Sequence, residues 1–202
     1  MSVAKKCVHI CDLCIVCKIK MAPSTEFAKT ANVGPAVAAR NGGKTATISG
    51  THGQLSFVLP EPQRVPFEPQ GWNGAEDRVS LCVELDAATL EWLKVVDEAL
   101  MEKAAAELQL DARDYVSFLK ETKYGTTLLK TKWQRDGRYA ANIWNTDQQL
   151  RQAPDEWIDY RIRIRVNVGS VYIQNRSWGI SLSCSDIEVH EPQTAEAACP
   201  FG

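Results

Sequence analysis

The sequence predicts a mainly β (α+β) domain with a helical insertion around residues 86–123. Three observations carry this expectation. Residues 78–85 and 158–168 alternate apolar and polar side chains, the period of a half-buried strand. At Asp86 the period changes to that of a helix. Turn chemistry at Asn41-Gly42-Gly43, Asp136-Gly137 and Asn175-Arg176 punctuates the remainder. With 202 residues, 45% of them hydrophobic, the chain can bury the core of one domain.

Taken in order, residues 1–43 read as a tail rich in Cys, Ala and Thr, with little periodicity. Met21-Ala22-Pro23-Ser24 inside it resembles a fresh start. The stretch Cys7 to Val16 is apolar, but His9 and Asp12 break it, which argues against a secretory signal. Ordered structure is expected from Lys44 to residue 192, with 193–202 a short tail. Residues 44–49 and 54–59 are short β-type runs, and Pro60, Pro62, Pro66 and Pro69 impose an extended segment. Asp86 is a good N-cap for a helix through Leu110, and Asp111 opens a second one over 112–123, stopped by Gly125. Strands follow over 127–133 and 138–144, paired as a hairpin about Asp136-Gly137. The longest strand covers 158–168 and continues past a bulge at Gly169-Ser170. The last covers 178–190. No internal repeat is present.

The net charge of −2 conceals four blocks. Residues 1–60 carry +5, 61–119 carry −8, 120–176 carry +5 and 177–202 carry −4. A basic surface built by one part of the fold is therefore expected. In the strand around 161–168, Ile162, Ile164, Val166 and Val168 share the buried face. Arg161, Arg163, Arg165 and Asn167 share the other. Arginines about 7 Å apart on one face call for an anion across them, a nucleic-acid backbone being one and carboxylates on neighbouring strands another. Lys130, Lys132, Arg135, Arg138 and Arg176 intersperse with Trp133, Tyr139 and Tyr160 in the same region, which holds eight of the sixteen aromatic residues. Cations for phosphates beside flat rings for bases are what single-stranded nucleic acid requires. Trp144 and Trp178 are expected in the core, whereas Trp133 and Tyr139, beside a charged turn, are expected to be exposed.

Other chemistry is weakly marked. Cys7, Cys11, Cys14 and Cys17 have partial iron–sulfur spacings, but a ferredoxin run would need its fourth ligand at Met21, and no second knuckle completes a zinc site. Neither metal nor cofactor is expected. The odd cysteine count suits a reducing compartment. His9, His52 and His190 sit in unrelated contexts, and phosphate loops and nucleophile elbows are missing. A Mg²⁺ nuclease on Asp77, Glu84 and Asp86 is the enzymatic alternative, and the expectation is no enzyme.

The closing segment, Tyr172-Ile173-x4-Trp178-Gly179-Ile180-Ser181-Leu182-x3-Asp186-Ile187-Glu188-Val189, resembles that of OB-fold single-stranded-DNA-binding proteins of large DNA viruses and some phages. So does the order of Pro-rich entry, strand, acidic helix and basic strand over residues 55–190. The resemblance implies an OB-like antiparallel barrel that coats single-stranded DNA during replication, recombination or repair, without turnover. It also implies recruitment of replication proteins by an acidic C-terminal tail, here Glu188, Glu191, Glu196 and the ending Cys199-Pro200-Phe201-Gly202. A homo-oligomer inside a host cell, with no membrane partner, is expected. A structural or virion β-sandwich protein and an RNA-binding module are the alternatives; choosing RNA over DNA rests on 2′-OH contacts.

Overall fold

Alternation along two long strands organises the molecule. In the computed structural model, which describes residues 29–40, 42–72 and 75–192, β12 (Arg161–Gln174) and β13 (Ser177–His190) form an antiparallel hairpin of fourteen residues each. Asn175 supplies its tight turn with a φ of 55°. Ile162, Ile164, Val166, Val168 and Val171 of β12 are fully buried, and Ile187 and Val189 of β13 lie against them. The register shifts between Val168 and Ser170, at the bulge the sequence expects, and again between Arg165 and Val166.

The hairpin closes into a barrel. β4 (Leu55–Val58) and β5 (Gln63–Arg64) run antiparallel to β12 as one interrupted strand, and β5 also pairs with β7 (Ala75–Glu84). The short β6 (Gln70–Trp72) folds back along β7 at Gln70↔Ser80. β7 pairs with β10 (Thr127–Gln134) over seven residues, and β10 meets β13 in parallel at Lys132↔Ser183 and Trp133↔Cys184. The ring β5-β7-β10-β13-β12-β5 is the OB-like barrel with a helical insertion that the sequence predicts. Val79, Leu81, Val83 and Leu129 fill it from the β7–β10 side.

The insertion is α1 (Ala87–Leu108). Asp86 caps it, its carboxylate accepting from the Thr89 N–H at 2.7 Å. The buried Gln63 amide donates to both Asp86 and Thr89, and its carbonyl accepts from the Asp86 N–H at 2.8 Å, so β5 holds the helix start. Leu93, Val96, Leu100 and Ala104 pack into the core, and Trp92 meets Phe57 edge-on at 5.3 Å.

Four expectations need correction. The second helix is a 3-10 turn at Ala112–Asp114, followed by β8 (Tyr115–Val116) and β9 (Leu119–Glu121). The open edges of β13 and β10 take these segments as strands, and the buried Asp97 of α1 accepts from the Tyr115 and Ser117 hydroxyls. Residues 138–144 do not form a hairpin with β10, because β7 and β13 already occupy its two sides. They continue past it as β11 (Asn142–Trp144), parallel to β13 at Asn142↔Asp186. Ordered structure also begins before Lys44. β1 (Asn32–Val33) and β2 (Val37–Ala38) both pair with β3 (Lys44–Ser49), and Ala31 is buried. Pairing along the edge of β3 recruits a segment whose composition alone carries no strand signal. Lastly, Trp133 is 3% exposed and packs against Trp157 at 5.0 Å, since alternation along β10 turns it inward with Leu129 and Thr131.

The cysteine series at 7–17, Met21, and the tail residues Glu196 and Cys199–Gly202 lie outside the described residues. Among those described, no helix is long and apolar enough to cross a membrane.

Candidate nucleic-acid interface

The three arginines of β12 do share the outward face, but carboxylates of β13 stand opposite two of them in register. Arg163 donates to Glu188 at 2.6 Å, with both side chains mostly covered. Arg165 lies 3.5 Å from Asp186, outside good hydrogen-bond geometry. Arg161 donates to the Pro62 carbonyl at 2.6 Å. Asp186 is held further by the Trp144 indole and the Asn142 amide, each at 3.1 Å, leaving Trp144 half-buried. Arg163 and Arg165 thus have carboxylates of the same chain across them, while Arg161 meets a neutral carbonyl. Tyr160 is not free either: the neighbouring Glu191 carboxylate, which receives Arg151 at 2.7 Å, raises the pKa of its hydroxyl.

The other cations form a separate surface. Alternation that buries Leu129, Thr131 and Trp133 turns Lys130 and Lys132 out of β10. Across the ladder, Ser80 of β7 faces Lys132 and Cys82 faces Lys130, with Arg78 opposite Gln134. Beside Lys132 on the far flank lie Ser183 and then Asn167 and Ser56. A belt of short polar side chains thus crosses the barrel around one lysine. One open groove, of about 600 Å³, contains Arg78, Lys132, Arg138, Tyr139, Asn167 and Ser183. A second, of about 770 Å³, contains Lys120, Lys130, Lys132, Tyr172 and Ser181. Lys132 belongs to both. Its exposed stem carries an ammonium shielded by the groove walls. That burial, with the nearby Arg78 charge, lowers its pKa from the ordinary lysine value.

Two tyrosines edge these grooves. Tyr139 is 78% exposed, with the Arg138 guanidinium 5.7 Å from its ring centroid. Tyr172 is 37% exposed and faces Gly179 across the hairpin. A Cβ on Gly179 would meet the Tyr172 hydroxyl at 2.5 Å and the Val116 carbonyl at 2.8 Å, so only glycine lets the ring lie down on β13. Arg135 stacks over Trp133 at 5.2 Å, outside the buried ring, and Arg176 belongs to the β12–β13 turn. Sequence reasoning does not place Lys120, Arg78 or Tyr172 among the binding residues. Lys120 lies in the segment that reads as helix, and Tyr172 gains its role from Gly179 across the hairpin.

Among the described residues, no three His, Cys, Asp or Glu side chains cluster to hold a metal ion. The carboxylates of the nuclease alternative are apart: Asp86 caps α1, Glu84 receives Arg64 at 3.0 Å, and Asp77 accepts from Gln134 at 3.0 Å near the other end of β7.

Fold and surface together define an OB-like barrel with an outer groove lined by cations beside exposed rings, an arrangement able to hold phosphates and stack planar groups. No protein-family model matches the chain, and no curated protein sequence matches it. Among solved structures it is similar to a single-stranded DNA-binding protein from bacteriophage Enc34 in complex with ssDNA. The TM-score is 0.48 at 14% identity, covering 80% of this chain and 98% of that one. A C-terminal truncation of the same phage protein gives 0.48 at 13% identity with the same coverage. A further structure of the phage protein gives 0.47 at 12%, covering 82% and 95%.

Proposed function

We propose that this chain binds single-stranded DNA with little sequence preference, in the groove over β10 and β13, and without turnover. The observation that supports this most is the convergence of Arg78, Lys132 and Arg138 with the exposed Tyr139 ring on one open face of an OB-like barrel. Little sequence preference is expected because cations on phosphates and ring faces under bases act alike on every nucleotide. Such a protein serves replication, recombination or repair by keeping strands apart. It works inside a cell as a homo-oligomer, and the acidic C-terminal residues recruit replication proteins.

Fluorescence anisotropy with labelled oligo-dT, duplex DNA and RNA tests the reading. Single-stranded DNA should bind more tightly than duplex, and RNA affinity decides between the DNA and RNA readings. Replacing Arg78, Lys132 and Arg138 by Gln should flatten the slope of log K against log salt by about 2, at about 0.7 for each phosphate no longer neutralised. The same replacement at Arg161, Arg163 and Arg165 should barely change that slope, and should lower the melting temperature because Glu188 and Asp186 are left without their cations. Equal binding by the groove variant and the unaltered chain would move the function elsewhere on the molecule.

A further inference from the structure

The groove does not stop at the barrel. Tyr172 and Gln174 also line a third depression of about 350 Å³, with Arg40 and Lys44 on its far side. That side is the turn between β2 and β3, outside the five-strand ring. The turn is closed by the Ala39 N–H donating to the Gly43 carbonyl at 2.9 Å, and Gly42 holds the left-handed φ of 83° that it needs. The pairings Thr45↔Tyr172 and Lys44↔Ile173, with the Thr45 hydroxyl donating to the Val171 carbonyl at 3.1 Å, fix the turn against β12. Arg40 and Lys44 are both exposed, and among the described residues neither has a carboxylate within 4.0 Å. Tyr172, laid flat on Gly179, is thus the shared wall between the barrel groove and this extension.

We propose that the β2–β3 turn is a second subsite for the same strand. Arg40 and Lys44 take phosphates of nucleotides that run beyond the barrel, and the Tyr172 ring stacks a base at the junction. From Asn167 in the first groove to Tyr172 is five residues along β12, about 16 Å of strand. The subsite therefore engages only oligonucleotides long enough to leave the barrel. This inference rests on the groove reading above.

Anisotropy titrations of the full chain with oligo-dT from about 4 to about 16 nucleotides, the span of OB-fold site sizes, test it. The double variant Arg40→Gln, Lys44→Gln should match the unaltered protein on the shortest oligonucleotides and fall behind as length grows. On the longest, its salt slope should be shallower by about 1.4, the value for two single-strand phosphates. Tyr172→Ala should weaken binding roughly 5- to 150-fold with the slope unchanged, whereas Tyr172→Phe should bind like the unaltered chain. Unchanged affinity and slope of the double variant at every length would overturn the subsite, while weak binding by the variant with Arg78, Lys132 and Arg138 replaced by Gln would leave the groove reading standing. A loss of equal size at every length would also overturn it, by placing both cations at the barrel groove itself. No binding of oligo-dT by the unaltered chain removes both readings together.

Discussion

Trp133 and Tyr139 are six residues apart on a charged stretch, yet the fold gives them opposite roles. Trp133 is wedged against Trp157 inside the barrel, and Tyr139 stands on the loop beyond β10. Trp133→Ala should therefore cost about 3–5 kcal/mol of folding stability, read by chemical denaturation. Tyr139→Ala should leave the denaturation midpoint in place and weaken single-strand binding by about 1–3 kcal/mol, with an unaltered salt slope. A stable Trp133→Ala protein would contradict the burial. At this scale the alternation along β12 is legible in the sequence from Ile162 to Val168, because a strand's period of two needs no tertiary information. What faces the outward arginines is not. Glu188 and Asp186 lie more than twenty positions away in sequence and reach Arg163 and Arg165 only through the hairpin register. The Gly179 seat under Tyr172 is equally out of reach, since it is a contact across the turn.

Among elements, the long ones carry their own signals and the short ones do not. α1 shows helical spacing and an Asp86 cap, and β3 is found at the residues where the β-type run reads as a strand. β8 and β9 follow an Asp that opens only a 3-10 turn, and they become strands because neighbouring edges need backbone partners. β1 and β2 behave alike, being two residues each and held by β3. A chain begun at Lys44 lacks those pairings and the buried Ala31 side chain. It should melt about 2–8 °C below one begun at Lys29, the shift expected for roughly 1–2 kcal/mol in a domain of this size. Identical melting curves by circular dichroism would show that β1 and β2 add nothing. The truncated chain should also lose part of the length-dependent affinity, since Arg40 goes with the segment while Lys44 stays.

For the whole molecule, the joint between α1 and the barrel rests on a buried acid. Burial raises the Asp97 pKa above the usual carboxylate range, and the hydrogen bonds from Ser117 and Tyr115 only partly oppose this. A carboxyl raised on folding prefers the protonated form in the folded state. The native protein therefore carries a burial penalty at neutral pH that disappears as pH falls through the raised value. Asp97→Asn has no such titration, so its stability relative to the unaltered chain should be greater at neutral pH than in acid in urea denaturation series. A pH-independent difference would show Asp97 to titrate as it does in the unfolded chain. Asp86 behaves oppositely. Burial would raise it, but the bonds from Gln63 and Thr89 outweigh that and lower its pKa, so its contribution is lost toward acid. Local sequence is enough for the mainly β class, the long helix and its start, the faces of the long strands and the bulge at Gly169. Each of these rests on period, capping or turn chemistry within a few residues. The folded arrangement alone sets which strands close the ring, that residues 32–38 join the sheet, that Arg163 and Arg165 meet Glu188 and Asp186, and which side chains line the groove around Lys132. Strand order and register bring together residues far apart in the chain, and charge balance on a surface exists only once that register is set.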